Sequence, residues 1–132
     1  MVRYFVMDNF EQIHDEDLGD VKISDEVMAI CAINAIMHTE GVAELSGGIG
    51  DSISENILGK ESHSKGVKVS QDEDGISFDV YVIIKYGFKI PTVAWDIQSN
   101  VKREVESMTD RSVLAVNIHV QGVAEENDND KT

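Results

Sequence analysis

Residues Val67–Tyr86 read VKVSQDEDGISFDVYVIIKY. Two runs alternate apolar and polar side chains around the centre Gln71-Asp72-Glu73-Asp74-Gly75. Successive side chains of a strand point to opposite faces, so alternation places one set together. In the second run that set is Ile76, Phe78, Val80, Val82, Ile84 and Tyr86; Ser77, Asp79, Tyr81, Ile83 and Lys85 take the other side. Two alternating runs joined by a tight Asp-Gly turn predict a β-hairpin with one face in a core.

Downstream, Pro91 suits the start of a helix, where its missing N–H would have had no partner. Ile90, Val93, Ala94, Ile97, Val101, Val105 and Met108 recur at helical spacing and predict one apolar stripe over about five turns. A further strand is expected over Val113–Val120, with Leu114, Val116, Ile118 and Val120 on one face. Upstream, Val21-Lys22-Ile23 reads as a short first strand. Ser24 is a good N-cap, and Asp25 and Glu26 place negative charge where the helix dipole favours it. Val27, Ile30, Cys31, Asn34 and Met37 recur at helical spacing, and Met28, Ala32, Ala35 and Ile36 widen the apolar side, so this helix is expected to be well buried. Gly41 ends it. Residues 46–64 form a Gly/Ser-rich connection in which Asp51–Leu58 is expected to make a short helix.

The resulting order, β-α-β-β-α-β, is the split β-α-β pattern: an α+β fold with two helices on one face of a mainly antiparallel sheet. Because the first strand is short, a three-stranded sheet with two helices is the alternative. Residues 1–20 are read as an acidic mobile arm, 21–123 as the domain and 124–132 as an acidic disordered tail.

The chain has 132 residues, an apolar fraction of 42% and a net charge of −14. The length suggests one domain and the composition supports a packed core. The arm carries −5, the tail −3 and the middle −6. This balance speaks against a phosphate backbone as main partner, and against direct docking on anionic lipid. Cys31 is the one cysteine, so no disulfide closes within the chain, and a reducing compartment fits. MVRYFVM is too short for a secretory signal core, and no run approaches the roughly 20 apolar residues that span a bilayer. A cytoplasmic protein is expected, with no direct membrane insertion.

Ser46–Ser62 reads SGGIGDSISENILGKES and invites a phosphate-loop reading. That motif needs G-x-x-x-x-G-K-[ST]. Here Gly59-Lys60 is followed by Glu61, and Ser54 stands at the first glycine. The dinucleotide pattern fails too, since Ile53 replaces the third glycine and the segment follows a helix. Gly47 and Gly50 satisfy only the short G-x-x-G of KH domains, beside acidic Asp51 and Glu55. His14, His38, His63 and His119 are dispersed, which argues against a metal site. No G-x-S-x-G elbow occurs, and Cys31 on an apolar helix face reads as a packing thiol. Asp79 and His119 fall on the outer sheet face, where an acid and an imidazole could move protons, although a solvated polar face explains them more simply. No catalytic, cofactor-binding or metal residues are assigned.

Two features suggest a partner surface. On a wheel of ~100° per residue, Trp95 lies about 140° from the apolar stripe of its helix, with Lys102 and Glu106 as neighbours. It is either an exposed contact anchor or covered by the 46–64 connection. Tyr81 and Ile83 lie opposite the main stripe of the hairpin. They form a sticky face suited to self-association or a partner, unless a loop or the arm crosses it.

TEGVAELSGG, SKGVKV, DVYVIIKYGFKIPTVAWDIQSNVKREVESMT and VNIHVQGV together resemble the alkaline shock protein family, small general-stress and envelope-stress proteins of Gram-positive bacteria. The resemblance covers roughly Val21 to Val123. It implies an abundant, non-enzymatic cytosolic protein tied to envelope homeostasis, self-assembling or held near the membrane by a separate membrane-anchored protein. Other branches are linked to fatty-acid metabolism. No catalytic residues carry over. Trp95 departs from the family pattern, where small or polar residues are usual. The leading expectation is therefore a homo-oligomeric scaffold with protein partners and no nucleic acid. A KH-like RNA binder or a regulator linked to fatty-acid metabolism is the runner-up, and a small-molecule enzyme comes third.

Overall fold

The computed structural model describes residues 18–47, 62–64 and 66–125. The first 17 residues, the last seven, Gly50 of the G-x-x-G and the short helix expected at Asp51–Leu58 lie outside the described residues.

Two helices, α1 (Asp25–Met37) and α2 (Ile90–Thr109), pack on one face of a five-stranded sheet made of β1 (Val42–Leu45), β2 (Ser62–Ser64), β3 (Val67–Asp72), β4 (Gly75–Lys85) and β5 (Val113–Ala124). The α+β class, the two helices on one face and the mainly antiparallel sheet are as expected. β4 lies at the centre. On one side it pairs with β5 in parallel along its whole length. On the other it pairs antiparallel with β3 through its first half and with β1 through its last residues, and β2 extends the sheet beyond β3. The parallel pair is possible because α2 carries the chain back to the starting end of β4.

The hairpin forms as its alternation dictates. Asp72 pairs with Gly75 across the two-residue turn Glu73-Asp74. The Asp72 carboxylate accepts the main-chain N–H groups of Asp74 and Gly75 at 2.8 and 3.2 Å, an Asx turn. Ile76, Phe78, Val80, Val82 and Ile84 are fully buried against the helices. Tyr86, expected on the same face, lies beyond the end of β4 and is 70% exposed.

The first strand differs from expectation. Val21–Ile23 makes no strand pairing. The Gln71 side chain holds this segment instead, donating to the Ile23 carbonyl at 3.1 Å and to the Asp25 carboxylate at 2.6 Å. The edge position goes to β1, which follows α1 in a stretch that the sequence suggested was only a helix exit. β1 and β3 meet end to end along β4: the Tyr81 N–H donates to the Gly66 carbonyl, and the Tyr81 carbonyl accepts from the Ser46 N–H. Gly66 has φ +84°, and a Cβ there would stand 2.6 Å from the Ser46 carbonyl oxygen, so glycine is required at this seam.

α1 starts where predicted. The Ser24 hydroxyl accepts from the Val27 N–H at 3.2 Å. Its buried side is Met28, Ala29, Cys31, Ala32, Ala35 and Ile36, whereas Val27, Ile30, Asn34 and Met37 face outward. The helix is apolar nearly all round, and the small alanines decide which side meets the sheet and α2, because they let the packed elements approach closely. α2 buries Val93, Ile97, Val101 and Val105; the two ends of the expected stripe, Ile90 and Met108, are exposed. A polar chain ties the helices together. Arg103 donates to Asn100, Asn100 to the buried Thr39 hydroxyl, and that hydroxyl to the Ala35 carbonyl.

β5 corrects the expected phase. A bulge opposite Ile76/Ser77 turns Val113 inward and leaves Leu114 54% exposed. Val116 is buried and Ile118 packs partly against the core, as expected. A second bulge lies opposite Val82/Ile83, and the strand continues to Ala124.

Candidate functional site

The side of the sheet away from the helices is built from alternate residues of β4 and β5. Parallel register sets Ser77 beside Ala115, Asp79 beside Asn117, Tyr81 beside His119 and Ile83 beside Gly122. Both helices pack on the opposite face. Among the described residues, no element lies across this one.

The two central rows form one cluster. His119 Nε2 lies 3.0 Å from Asp79 Oδ1, so that nitrogen carries the proton in the pair, because a carboxylate only accepts. Asn117 Nδ2 donates to the same oxygen at 3.3 Å. The Tyr81 ring stacks on the imidazole with centroids 4.5 Å apart and planes 11° apart. The carboxylate thus fixes the imidazole, and the imidazole offers a flat base for the tyrosine. Above them, Ile83 leans toward Gly122, where an added Cβ would come within 3.1 Å of Ile83 Cδ1. The second bulge frees Gln121, and the Ser46 hydroxyl donates to its side-chain oxygen at 3.0 Å. The result is a half-apolar, preorganised strip on a flat surface. Concavities lined by Val21, Ile23, Gln71 and Arg111, or by Asn34, His38, Asn100 and Arg103, lie elsewhere.

The structure brings Tyr81 and Ile83 to this strip and joins to it the Asp79–His119 pair that the sequence placed on the same face. Trp95, Lys102 and Glu106 stand apart from it, on α2. Trp95 lies off the buried stripe of α2, as its angular position predicts, and is 64% exposed. Lys102 and Glu106 are engaged within the fold: they pair at 2.9 Å, the Glu106 carboxylate accepts the Val113 N–H at 2.9 Å, and Lys102 donates to the Val113 carbonyl at 3.3 Å. The Val113 N–H, helped by Lys102, pulls the Glu106 carboxyl below its ordinary range.

Sequence reasoning missed the outer stripe of α1. Val27 and Met37 are nearly half exposed and Ile30 is 61% exposed. A near-complete ring of apolar residues does not say which side is inward, so the periodicity carried no signal for it. Cys31 is buried, and burial, then the charge of Glu104, pushes its thiol pKa up, away from the reactive thiolate. No cluster of three or more His, Cys, Asp or Glu suited to a metal ion occurs among the described residues.

Residues 13–125 match the model of the alkaline shock protein 23 family, described as having a cell envelope-related function. YqhY of Bacillus subtilis is 39% identical over 109 residues, covering 83% of this chain and 80% of YqhY. YloU of the same organism is 40% identical over 107 residues, covering 80% of this chain and 88% of YloU. A stress response regulator gls24 homolog of Streptococcus pyogenes is 24% identical over 120 residues, covering 91% of this chain and 67% of that protein. A MamM CTD structure aligns with a TM-score of 0.46 at 12% identity over 75% of this chain and 98% of that one, a likeness too distant to bear on function. With its residues 13–125 matched by the family model and two relatives near 40% identity, the chain belongs to the alkaline shock protein 23 family, whose function is related to the cell envelope.

Proposed function

We propose that this protein is a non-enzymatic scaffold of the cell-envelope stress response, working in the cytoplasm by self-association and by holding a membrane-anchored protein partner. The observation that supports this reading is the contrast across β4: five side chains are fully buried under the helices, while the Asp79–Tyr81–Ile83–His119 strip opposite is ordered, half-apolar and free of any described covering element. A preorganised flat strip with a stacked aromatic suits a protein surface better than a small molecule, which needs enclosure. No helix of the described residues is long and apolar enough to cross a membrane. In this reading the link to the envelope therefore runs through an anchored partner, and the net charge of −14 disfavours anionic lipid as a direct partner.

Co-sedimentation with membranes of the source cells tests the partner. The protein is expected to pellet with native membranes, but not with protease-shaved membranes or with protein-free vesicles of the same lipids. Failure to pellet with native membranes, or equal pelleting with bare lipid, would overturn the reading.

A further inference from the structure

Among the described residues β5 is an edge strand, and its protection stops partway. Glu106 and Lys102 satisfy both main-chain groups of Val113, and Gln98 donates to the Val116 carbonyl at 3.0 Å. These contacts show that Val113 and Val116 turn their main-chain groups away from β4. Alternation from Val116 turns those of Ile118 and Val120 the same way, and no described residue hydrogen-bonds to them on that side. The side chains at 98, 102 and 106 share one side of α2, and Trp95 is the next residue on that side as the helix rises along β5. Where the stripe stops supplying polar caps, it supplies an exposed indole.

We infer that this bare stretch, Ile118–Val120 with Trp95 beside it, is where a second copy of the chain pairs, β5 against β5 antiparallel across a twofold axis, so that two sheets become one. An unpaired edge is a template for strand addition. Val113–Ala124 contains no Asp, Glu, Lys or Arg, although the chain carries −14. Pairing along this strand brings no like-charged Asp, Glu, Lys or Arg side chains of β5 together, and the edge lacks the lysines and prolines that proteins use to prevent such pairing. An isologous contact needs one self-complementary surface, which Ile118, Val120 and the indole supply from each side. This inference rests on the self-association part of the proposed function, and it is separate from the open face assigned to the partner.

Trp95 is the single tryptophan of the chain and reports the contact directly. Sedimentation of the full chain over a dilution series should show a monomer–dimer equilibrium, with Trp95 emission shifting to the blue as dimer forms. The amides of Ile118 and Val120 should gain protection from hydrogen exchange in step. Val120→Pro removes an N–H that faces the edge, not the ladder to β4, and should weaken association at least about tenfold. Val120→Lys supplies the same test without the proline ring should that variant fail to fold. Association that ignores both variants and leaves the Ile118 and Val120 amides exchanging freely would overturn the edge inference and leave self-association standing. A strictly monomeric protein would remove both. Loss of membrane pelleting with dimer formation intact would strike the partner reading alone.

Discussion

On the helix side of β4, Ile76, Phe78, Val80, Val82 and Ile84 are fully buried; between them, Ser77, Asp79, Tyr81 and Ile83 are half-buried on a face that no described helix covers. Both faces belong to the same strand, whose main chain is paired on both sides, so backbone pairing cannot account for the difference. On the covered face, size and shape decide stability, because every side chain meets the close-packed helices. On the open face, Tyr81 lies on an imidazole that Asp79 fixes in turn, an arrangement that orders the surface while adding little burial. The lesson is that stability and contact can be altered separately in this molecule.

The largest effect should come from the covered face. Phe78→Ala is expected to cost about 3–5 kcal/mol, read by urea denaturation, a large share of the ~5–15 kcal/mol that holds a domain together. A cost near zero would mean that the helices do not pack as described. Gly66→Ala comes next, at about 1–3 kcal/mol, because φ +84° and the nearby Ser46 carbonyl leave no space for a Cβ. Thermal melting would measure it, and the loss should fall on the junction of β1 and β3. On the open face, the Tyr81→Ser/Ile83→Ser pair should cost only about 1 kcal/mol in stability while abolishing membrane pelleting. An equally large stability loss there would erase the contrast between the faces.

The smallest effect concerns Glu106. Its carboxyl titrates below the ordinary range when folded, so the folded chain takes up that proton less readily than the unfolded one. The contact with Val113 and Lys102 therefore stabilises fully above the ordinary carboxylate value of the unfolded chain and is lost as pH falls through the lower folded value. Glu106→Gln should lower stability slightly at neutral pH and flatten the acid limb of a stability–pH curve; an unchanged acid limb would show that the contact carries no linkage.

Much of the hairpin and both helices were legible because strict alternation, a Ser24 cap and a single clean stripe each point to one structure. Tyr81, Ile83, Asp79 and His119 were legible as residues of one outer face for the same reason. Four features were not. The main chain of β1 pairs through a tertiary contact that a four-residue stretch with two apolar ends does not announce. The two bulges of β5 change its phase, and periodicity assumes an unbroken phase, which puts Leu114 inward. In α1 the apolar ring left the inward side to be decided by which residues were small enough to approach a neighbour. The contact of Lys102 and Glu106 with Val113 joins helix to strand across a turn that spacing alone does not fold.

Site-specific photo-crosslinking in the source cells compares the two sides of the molecule most directly. A photoreactive side chain at position 83, on the open face, should give a discrete crosslink to a membrane-embedded protein. The same group at the exposed position 107 on α2 should give none. Crosslinks from position 107 alone, or none from position 83 when the protein is abundant and folded, would contradict the assignment of the open face as the surface through which this protein acts.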